Sequence, residues 1–298
     1  ANQLRLYEDK PIYFDNWDID MYYVEKSWPV DELVSMRWSE DGPVRTTLEL
    51  EYRCNQSTIW QKIHFYANTP RIDFETKADW KEHQHLLKAE FPVDIHSDEA
   101  TFEIQFGNVT RKVHTNTSWD KARFESCGPT HRNTSWDAAK YEVCAQRWAD
   151  LSEGDCGVSL LNDCKYGHSV RDGVIGLTLI KCGVEPNPNA DVEMHTFTYA
   201  LFPHAGTWKE AGTVEESYQL NLPAYAVRGG QPGTAFSYTA VEPRNVVLET
   251  VKQAENGDGV VLRMYECENA RTKTVVRLPE GIERPRMARS CTTPSAWM

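Results

Sequence analysis

The chain has 298 residues, a net charge of −12 from 32 Lys and Arg against 44 Asp and Glu, and a composition that is 40% hydrophobic and 26% charged. That length holds two ordinary domains, or one large β domain and a remnant, with the balance of a soluble globular protein. The acidic excess excludes an electrostatic nucleic-acid binder, because no basic stripe exists to neutralise phosphates, and no apolar run is long enough to cross a membrane as a helix.

The N-terminus, ANQLRLYEDKPIYFDNWDID, opens directly on structured sequence without a signal peptide, as in a chain cut from something longer. TTLELEYRC (46–54), TIWQKIHFYA (58–67), RIDFETKADW (71–80) and HLLKAEFPVDI (85–95) then alternate apolar and polar residues and predict strands. ATFEIQFGNV, YEVCAQRWADL, GVSLLND, GVIGLTLIK and MHTFTYALFPH continue the series as far as His204. Regular short strands with turn residues between them predict an all-β protein of antiparallel sheets. Helical periodicity is scarce, and EAGTVEESYQL (210–220) is the best short candidate. LNLPAYAVRGGQPGTAFSY (220–238), rich in Gly and Pro, reads as a connection between domains. Beyond it, residues 245–269 predict a hairpin with NGDG in its turn, and TKTVVRLP one more strand. About three strands are too few to close a second sandwich. The last residues, ERPRMARSCTTPSAWM, lose all alternation and read as a disordered or out-of-frame tail.

The ten Trp and thirteen Tyr are expected to build core, with Trp17, Trp60, Trp80 and Trp119 in strand-core rhythm rather than on a sugar-stacking platform. The eight cysteines (54, 127, 144, 156, 164, 182, 267 and 291) are scattered without a CxxC pair, which fits reduced thiols and a cytoplasmic location. On that reading the sequons at Asn55, Asn108, Asn116 and Asn133 carry no glycan. One feature breaks the regular series. HTNTSWDKARFESC (114–127) is followed seventeen residues on by HRNTSWDAAKYEVC (131–144), identical at nine of fourteen positions. One strand slot cannot hold both copies, and a stacking repeat would recur three or more times, so this reads as a tandem duplication or a join of two related sequences.

The segments FGNVTRKVHTNTSWDKARFE (106–125), RWADLSEGDCGVSLLNDCKYGHSVRDGVIGLTLI (147–180) and FTYALFPHAGTW (197–208) resemble glycoside hydrolase family 38, the α-mannosidases, in the branch that includes the cytosolic type. NQLRLYEDKPIYFDNWDIDMYY (2–23) and VVLRMYECEN (260–269) agree, so the resemblance runs from near residue 2 to about 283. It implies an N-terminally truncated, mutarotase-like β-supersandwich over 1–222, part of a smaller C-terminal β-sandwich over 223–283, and an atypical tail over 284–298. The family pattern has a single NTSWD segment, and here the first copy keeps the usual lead-in and the second the usual exit into RWADLSE.

The resemblance also implies a retaining hydrolysis of terminal α-linked mannose from oligosaccharides, with two carboxyl groups about 5 Å apart and a zinc ion. Nucleophile and zinc ligands belong to an N-terminal catalytic domain whose motifs are absent here, so no catalytic or metal-binding residue is carried over. That domain and a mannose-containing oligosaccharide are the implied partners. A stand-alone carbohydrate-binding β-sandwich is the alternative, and a scaffold kept for domain packing a third reading. Open sheet edges and an uncovered domain face predict marginal stability and self-association into homo-oligomers.

Three places are candidate sites within the chain. Asp15, Asp18 and Asp20 in DNWDID cluster like a calcium loop but lack its glycine and distal glutamate, which favours a solvated turn. His83 and His85, two apart on a predicted strand, share a face but have no evident third ligand. The strongest candidate is LNDCKYGHSVRDG (161–173), where Asn162, Asp163, Lys165, Tyr166 and His168 offer the donors, acceptors and aromatic face that sugar hydroxyls require. By the resemblance, this loop completes the substrate cleft of the intact enzyme. The competing reading is an Asx-type turn whose side chains satisfy their own backbone. Arg132, Asn133, Trp136 and Asp137 offer similar groups inside the duplication.

Overall fold

A computed structural model describes residues 2–12, 15–17, 19–114, 142–229, 233, 235–279 and 281. The chain divides into two compact units, Ala1–Tyr225 and Ala226–Met298.

In the first unit the strands in chain order are β1 (Gln3–Glu8), β2 (Ser27–Pro29) after a short 3-10 turn (Met21–Glu25), β3 (Glu32–Asp41), β4 (Arg45–Cys54), β5 (Ser57–Tyr66), β6 (Ile72–Asp79) and β7 (His85–Pro92). They continue as β8 (Glu99–Ile104), β9 (Gly107–Lys112), β10 (Glu142–Cys144), β11 (Trp148–Ser152), β12 (Cys156–Asn162), β13 (Gly167–Arg171), β14 (Val174–Cys182) and β15 (Met194–Ala205). Two antiparallel sheets result, a six-stranded one in the order β10-β13-β14-β7-β1-β2 and a nine-stranded one in the order β3-β4-β5-β6-β15-β12-β11-β8-β9.

The period of two along each strand puts one apolar row of each sheet into a shared core. Ile59, Phe74, Ala78, Phe197 and Tyr199 from the larger sheet pack there with Leu87, Ala89, Phe91, Ile175 and Leu177 from the smaller. Tyr199 stacks on Phe74 at 5.0 Å and shows how a polar tip survives burial. Its hydroxyl accepts from Gln61 Nε2 at 2.9 Å and donates to Asn2 Oδ1 at 2.6 Å, so the buried phenol is satisfied on both sides. On the outer face of the larger sheet sit two short helices, α1 (Trp208–Ala211) and α2 (Thr213–Asn221). A capping box between Thr207 and Glu210 starts the first. Gly212, at φ 76°, makes the left-handed step into the second that a side chain would resist. The single predicted helix is therefore two.

Two predicted strands are each split. ATFEIQFGNV folds back on itself as β8 and β9, with Phe106 at φ 56° in the turn between Ile104 and Gly107. YEVCAQRWADL divides between sheets. β10 pairs with β13, β11 pairs with β12 and β8, and Arg147 between them clasps the Glu103 carboxylate with its guanidinium. Residues 115–141, which hold most of the duplication together with Trp119, Arg132, Asn133, Trp136 and Asp137, lie outside the described residues. Only the ends of the two copies are seen. His114, the first residue of the first copy, follows β9, and Glu142–Cys144, the last three of the second, form β10.

The aromatic expectation needs correction. Trp80 is fully buried, but Trp17 is 73% and Trp60 37% exposed. Trp60 alternates onto the outer face of β5, opposite to core-facing Ile59 and Gln61, and Trp17 lies in a turn.

The second unit contains β16 (Ala240–Glu242) paired with β19 (Val275–Arg277), and β17 (Val246–Gln253) paired with β18 (Val260–Glu266). Gly257 and Gly259, at φ 78° and 109°, supply the backbone freedom of the hairpin turn. The tail from 282 onward lies outside the described residues.

Candidate functional site

The loop between β12 and β13 is an Asx-type turn built on Asn162. Its Oδ1 accepts from the Lys165 amide at 2.7 Å, and its Nδ2 donates to the Gln146 carbonyl at 2.7 Å. Asn162 is fully buried, as is His168, whose Nε2 lies 3.4 Å from Asn162 Nδ2 and whose Nδ1 lies 3.3 Å from the Tyr166 carbonyl. Burial pushes His168 down to about 4, with the nearby Lys88 ammonium adding to the effect, so at neutral pH the ring is uncharged. Asp163 Oδ2 accepts from the Thr198 amide at 2.9 Å. The Lys165 ammonium sits 4.7 Å from the Phe197 ring centroid. Tyr166 is 51% exposed and faces water. Of the five candidates, then, Asn162 and His168 present no surface and hold the turn, whereas Tyr166 is displayed and Asp163 and Lys165 are half-buried beside it.

The other two places resolve into structure. Asp15 Oδ2 accepts from the Val184 amide at 2.6 Å and the Asp15 carbonyl from Lys181 Nζ at 2.8 Å, while Asp20 Oδ2 accepts from the Ile12 amide at 2.8 Å. Asp18 lies outside the described residues. Lys181 also pairs with buried Asp9, whose carboxyl is raised by burial against the pull of that lysine. The acids of this segment therefore anchor the N-terminal arm to β14. His83 does not lie on a strand. It sits in the bend before β7, and His85 Nδ1 contacts its carbonyl at 2.6 Å, so the expected shared strand face does not form.

A denser constellation, unmarked by any motif, lies on the face of the six-stranded sheet away from the core. The Lys88 ammonium pairs with Glu142 and donates to Ser169 Oγ at 2.8 Å. The Tyr23 hydroxyl also donates to Glu142, and the Tyr7 hydroxyl donates to Glu90, which has Arg5 Nε at 3.9 Å. Burial and the adjoining carboxylates raise both phenols, so they stay protonated as donors. Gly176 leaves room for the group, because a Cβ there would meet Ser169 Oγ at 2.8 Å. Two carboxylates, an ammonium and two phenols converge here, each spent on another. HLLKAEF carries part of the signal, since Lys88 and Glu90 alternate with the core residues Leu87, Ala89 and Phe91. Nothing local announces Glu142, which arrives from 54 residues away.

Among the described residues, two groups bring metal-ligand atoms within 4.8 Å of one another, Asp191 with Glu193 and His195, and Glu153 with Asp155 and Cys156. Neither fits a zinc centre. His195 Nε2 is engaged by the Asp191 carbonyl at 2.8 Å, and the Cys156 thiol is raised rather than lowered, by desolvation and the two acids beside it.

Comparison with known proteins gives the family of this two-sheet antiparallel sandwich. Residues 1–131 and again 128–189 match the glycosyl hydrolases family 38 C-terminal domain, and residues 245–292 match the family 38 C-terminal beta sandwich domain. The chain belongs to glycosyl hydrolase family 38. The two matches to the first domain overlap at 128–131, where the first copy has ended and the second begins.

Alpha-mannosidase 2C1 of Homo sapiens is 39% identical over 277 residues, which is 91% of this chain and 25% of that protein. Alpha-mannosidase G of Dictyostelium discoideum is 34% identical over 89% of this chain and 24% of its own length. The chain thus spans about a quarter of the length of these curated relatives. The crystal structure of an alpha-mannosidase from Enterococcus faecalis V583 shares the fold, with a TM-score of 0.71 at 16% identity over 93% of this chain and 34% of that one.

Proposed function

We propose that this chain is the non-catalytic β portion of an α-mannosidase that releases terminal α-linked mannose from oligosaccharides. The reading is carried by relatives named as alpha-mannosidases that align over 91% of the chain while extending to four times its span. In it, the nucleophile, the acid/base carboxyl and the zinc ligands of the retaining reaction reside outside residues 1–298, in the catalytic domain that this region supports. The turn at 162–168 completes the sugar site, with Tyr166 offering its ring and hydroxyl, Asp163 and Lys165 flanking it, and Asn162 and His168 holding the turn in shape. The cytoplasm is the proposed location, and the six described cysteines, Cys54, Cys144, Cys156, Cys164, Cys182 and Cys267, are free thiols in accord with it.

The test is hydrolysis of an aryl α-mannoside by residues 1–298, with zinc and with chelator, after circular dichroism has established β structure. No turnover is expected in either condition. Zinc-dependent turnover would overturn the reading. Tight binding of a mannose oligosaccharide by the isolated chain, abolished by Tyr166→Ala, would favour a stand-alone carbohydrate-binding module instead.

A further inference from the structure

Trp60 is out of keeping with the face it stands on. Along the outer face of β5 it alternates with Thr58 and Lys62, and the matching positions of β6 are Glu75, Lys77 and Asp79. α1 and α2 cover the outer face of the larger sheet over β11, β12 and β15. Around β5 that face meets water, with Trp60, Lys62, Glu75 and Lys77 all exposed. The indole, 37% exposed, therefore lies on the water side of the sheet and takes no part in its core.

Register sets what flanks it. Glu51 of β4 and Lys77 of β6 lie directly opposite Trp60 on either side, and Thr196 of β15 follows Lys77 in the same row. Directly opposed residues share a sheet face with Cβ atoms about 5 Å apart, so carboxylate, indole and ammonium stand in line over roughly 10 Å. Neighbouring acids on this face are already engaged. Glu49 pairs with Arg37, Glu75 lies 3.3 Å from His64 Nε2, and Asp79 pairs with Lys81 at 2.8 Å. Among the described residues neither the Glu51 nor the Lys77 side chain makes a hydrogen bond or an ion pair, and the Trp60 ring packs on no other ring or cation. Around Lys88 each polar group is spent on another; here all three are unspent.

We infer that Glu51, Trp60 and Lys77 form a binding site for a neutral pyranose, a single sugar ring laid flat on the indole. The C–H face of such a ring covers the apolar indole. Its edge hydroxyls donate to the Glu51 carboxylate on one side and accept from the Lys77 ammonium on the other. Charge selects against other occupants. An anion would meet Glu51 and a chain of net charge −12, and a cation would meet Lys77. A protein partner would have to bury Glu51, Lys62, Glu75 and Lys77 together, whereas charged side chains are depleted from the centres of such interfaces. The site is built on β4, β5 and β6 and the turn at 162–168 on β12 and β13, so the inference does not rest on the role proposed for that turn.

The test is an NMR titration of nitrogen-15-labelled residues 1–298 with methyl α-mannoside and, separately, with methyl β-glucoside, each to about 50 mM, since one stacked ring binds with a Kd on the order of 1–10 mM. Saturable shifts of the Trp60 indole N–H and of the Glu51 and Lys77 amides are expected with at least one of the two. Trp60→Ala should weaken binding at least tenfold by saturation transfer to the sugar, with unchanged circular dichroism and melting temperature, and Trp60→Thr serves if that variant misfolds. Glu51→Ala and Lys77→Ala should each weaken it at least threefold. Tyr166→Ala should leave it unchanged, which separates this site from the turn. No saturable shift with either glycoside, shifts confined to residues 162–168, or a folded Trp60→Ala chain that binds like the wild type would each overturn the inference.

Discussion

The two units are made of the same material and end differently. In the first, alternating strands face a second sheet, and residues such as Ile59, Phe91, Leu160 and Tyr199 reach zero exposure. In the second, β17 and β18 pair over Val246–Gln253 and Val260–Glu266 with one bulge between Leu248 and Thr250, yet among its described residues Cys267 alone is buried. Alternation makes strands in both, because it requires only a neighbour in the ladder. A core needs an opposing layer as well, and burial is what stabilises the fold, at about 25 cal/mol per Å² of apolar surface. The edge strand β3, exposed along all ten residues, shows the same rule inside the first unit.

If that contrast is right, changes in the first unit should cost several kcal/mol and equivalent changes in the second almost nothing. The largest effect is expected at Lys88. Lys88→Met leaves the Glu142 carboxylate buried beside Tyr23 without its counter-charge, which costs about 3–5 kcal/mol. The double change Lys88→Met with Glu142→Leu should recover most of that loss, because the pair repays mainly its own desolvation. Urea denaturation of the wild type, both single variants and the double variant closes the cycle. If the double variant is as unstable as Lys88→Met, the pair is not the closed structural lock that its contacts describe.

His168 comes next in size, and its contribution is visible only as pH dependence. Its folded value is lowered from the usual 6.5 to about 4, so between those values the unfolded chain binds the proton and the folded chain does not. Stability from this residue is complete above about pH 6.5 and is lost as pH falls towards 4, amounting to about 3 kcal/mol. His168→Gln should cost stability at pH 7.5 and flatten the decline between pH 6.5 and 4.5. An unaltered slope would mean that the ring is protonated in the fold and that the turn at 162–168 is looser than its hydrogen bonds indicate.

Strands that are buried on one face were legible in the sequence almost to the residue, as with 46–54 against β4 and 58–67 against β5. β3 was not, because a strand with both faces in water has no reason to alternate, and LVSMRW does not. YEVCAQRWADL read as one strand because its apolar pattern runs on through the break; the break itself lies in backbone bonds from Ala145 to Tyr166 and from Gln146 to Glu103, which no local pattern encodes. The candidate turn was legible as a dense polar loop. Which of its side chains face inward was not, since that depends on Leu177 opposite His168 and on Gln146 beneath Asn162. The Lys88–Glu142 pair escaped for the same reason, being a contact between strands joined only through the sheet.

The smallest expected effect is the most direct check on the contrast between the units. Val251 and Val260 sit on β17 and β18 with 46% exposure each, close to that of many surface side chains. Replacing either by Thr keeps the β-branched shape and the ladder, and removes little buried apolar area, so the change in stability should stay within about 0.5 kcal/mol. A Val→Thr change at Val170 of β13, 1% exposed and in the core, puts a hydroxyl where no water reaches and should cost more than about 1 kcal/mol. Thermal melts of the three variants side by side would measure the difference. A loss at Val251 or Val260 as large as at Val170 would mean that the hairpin gains an apolar cover in solution, and the second unit would then have a core of its own to find.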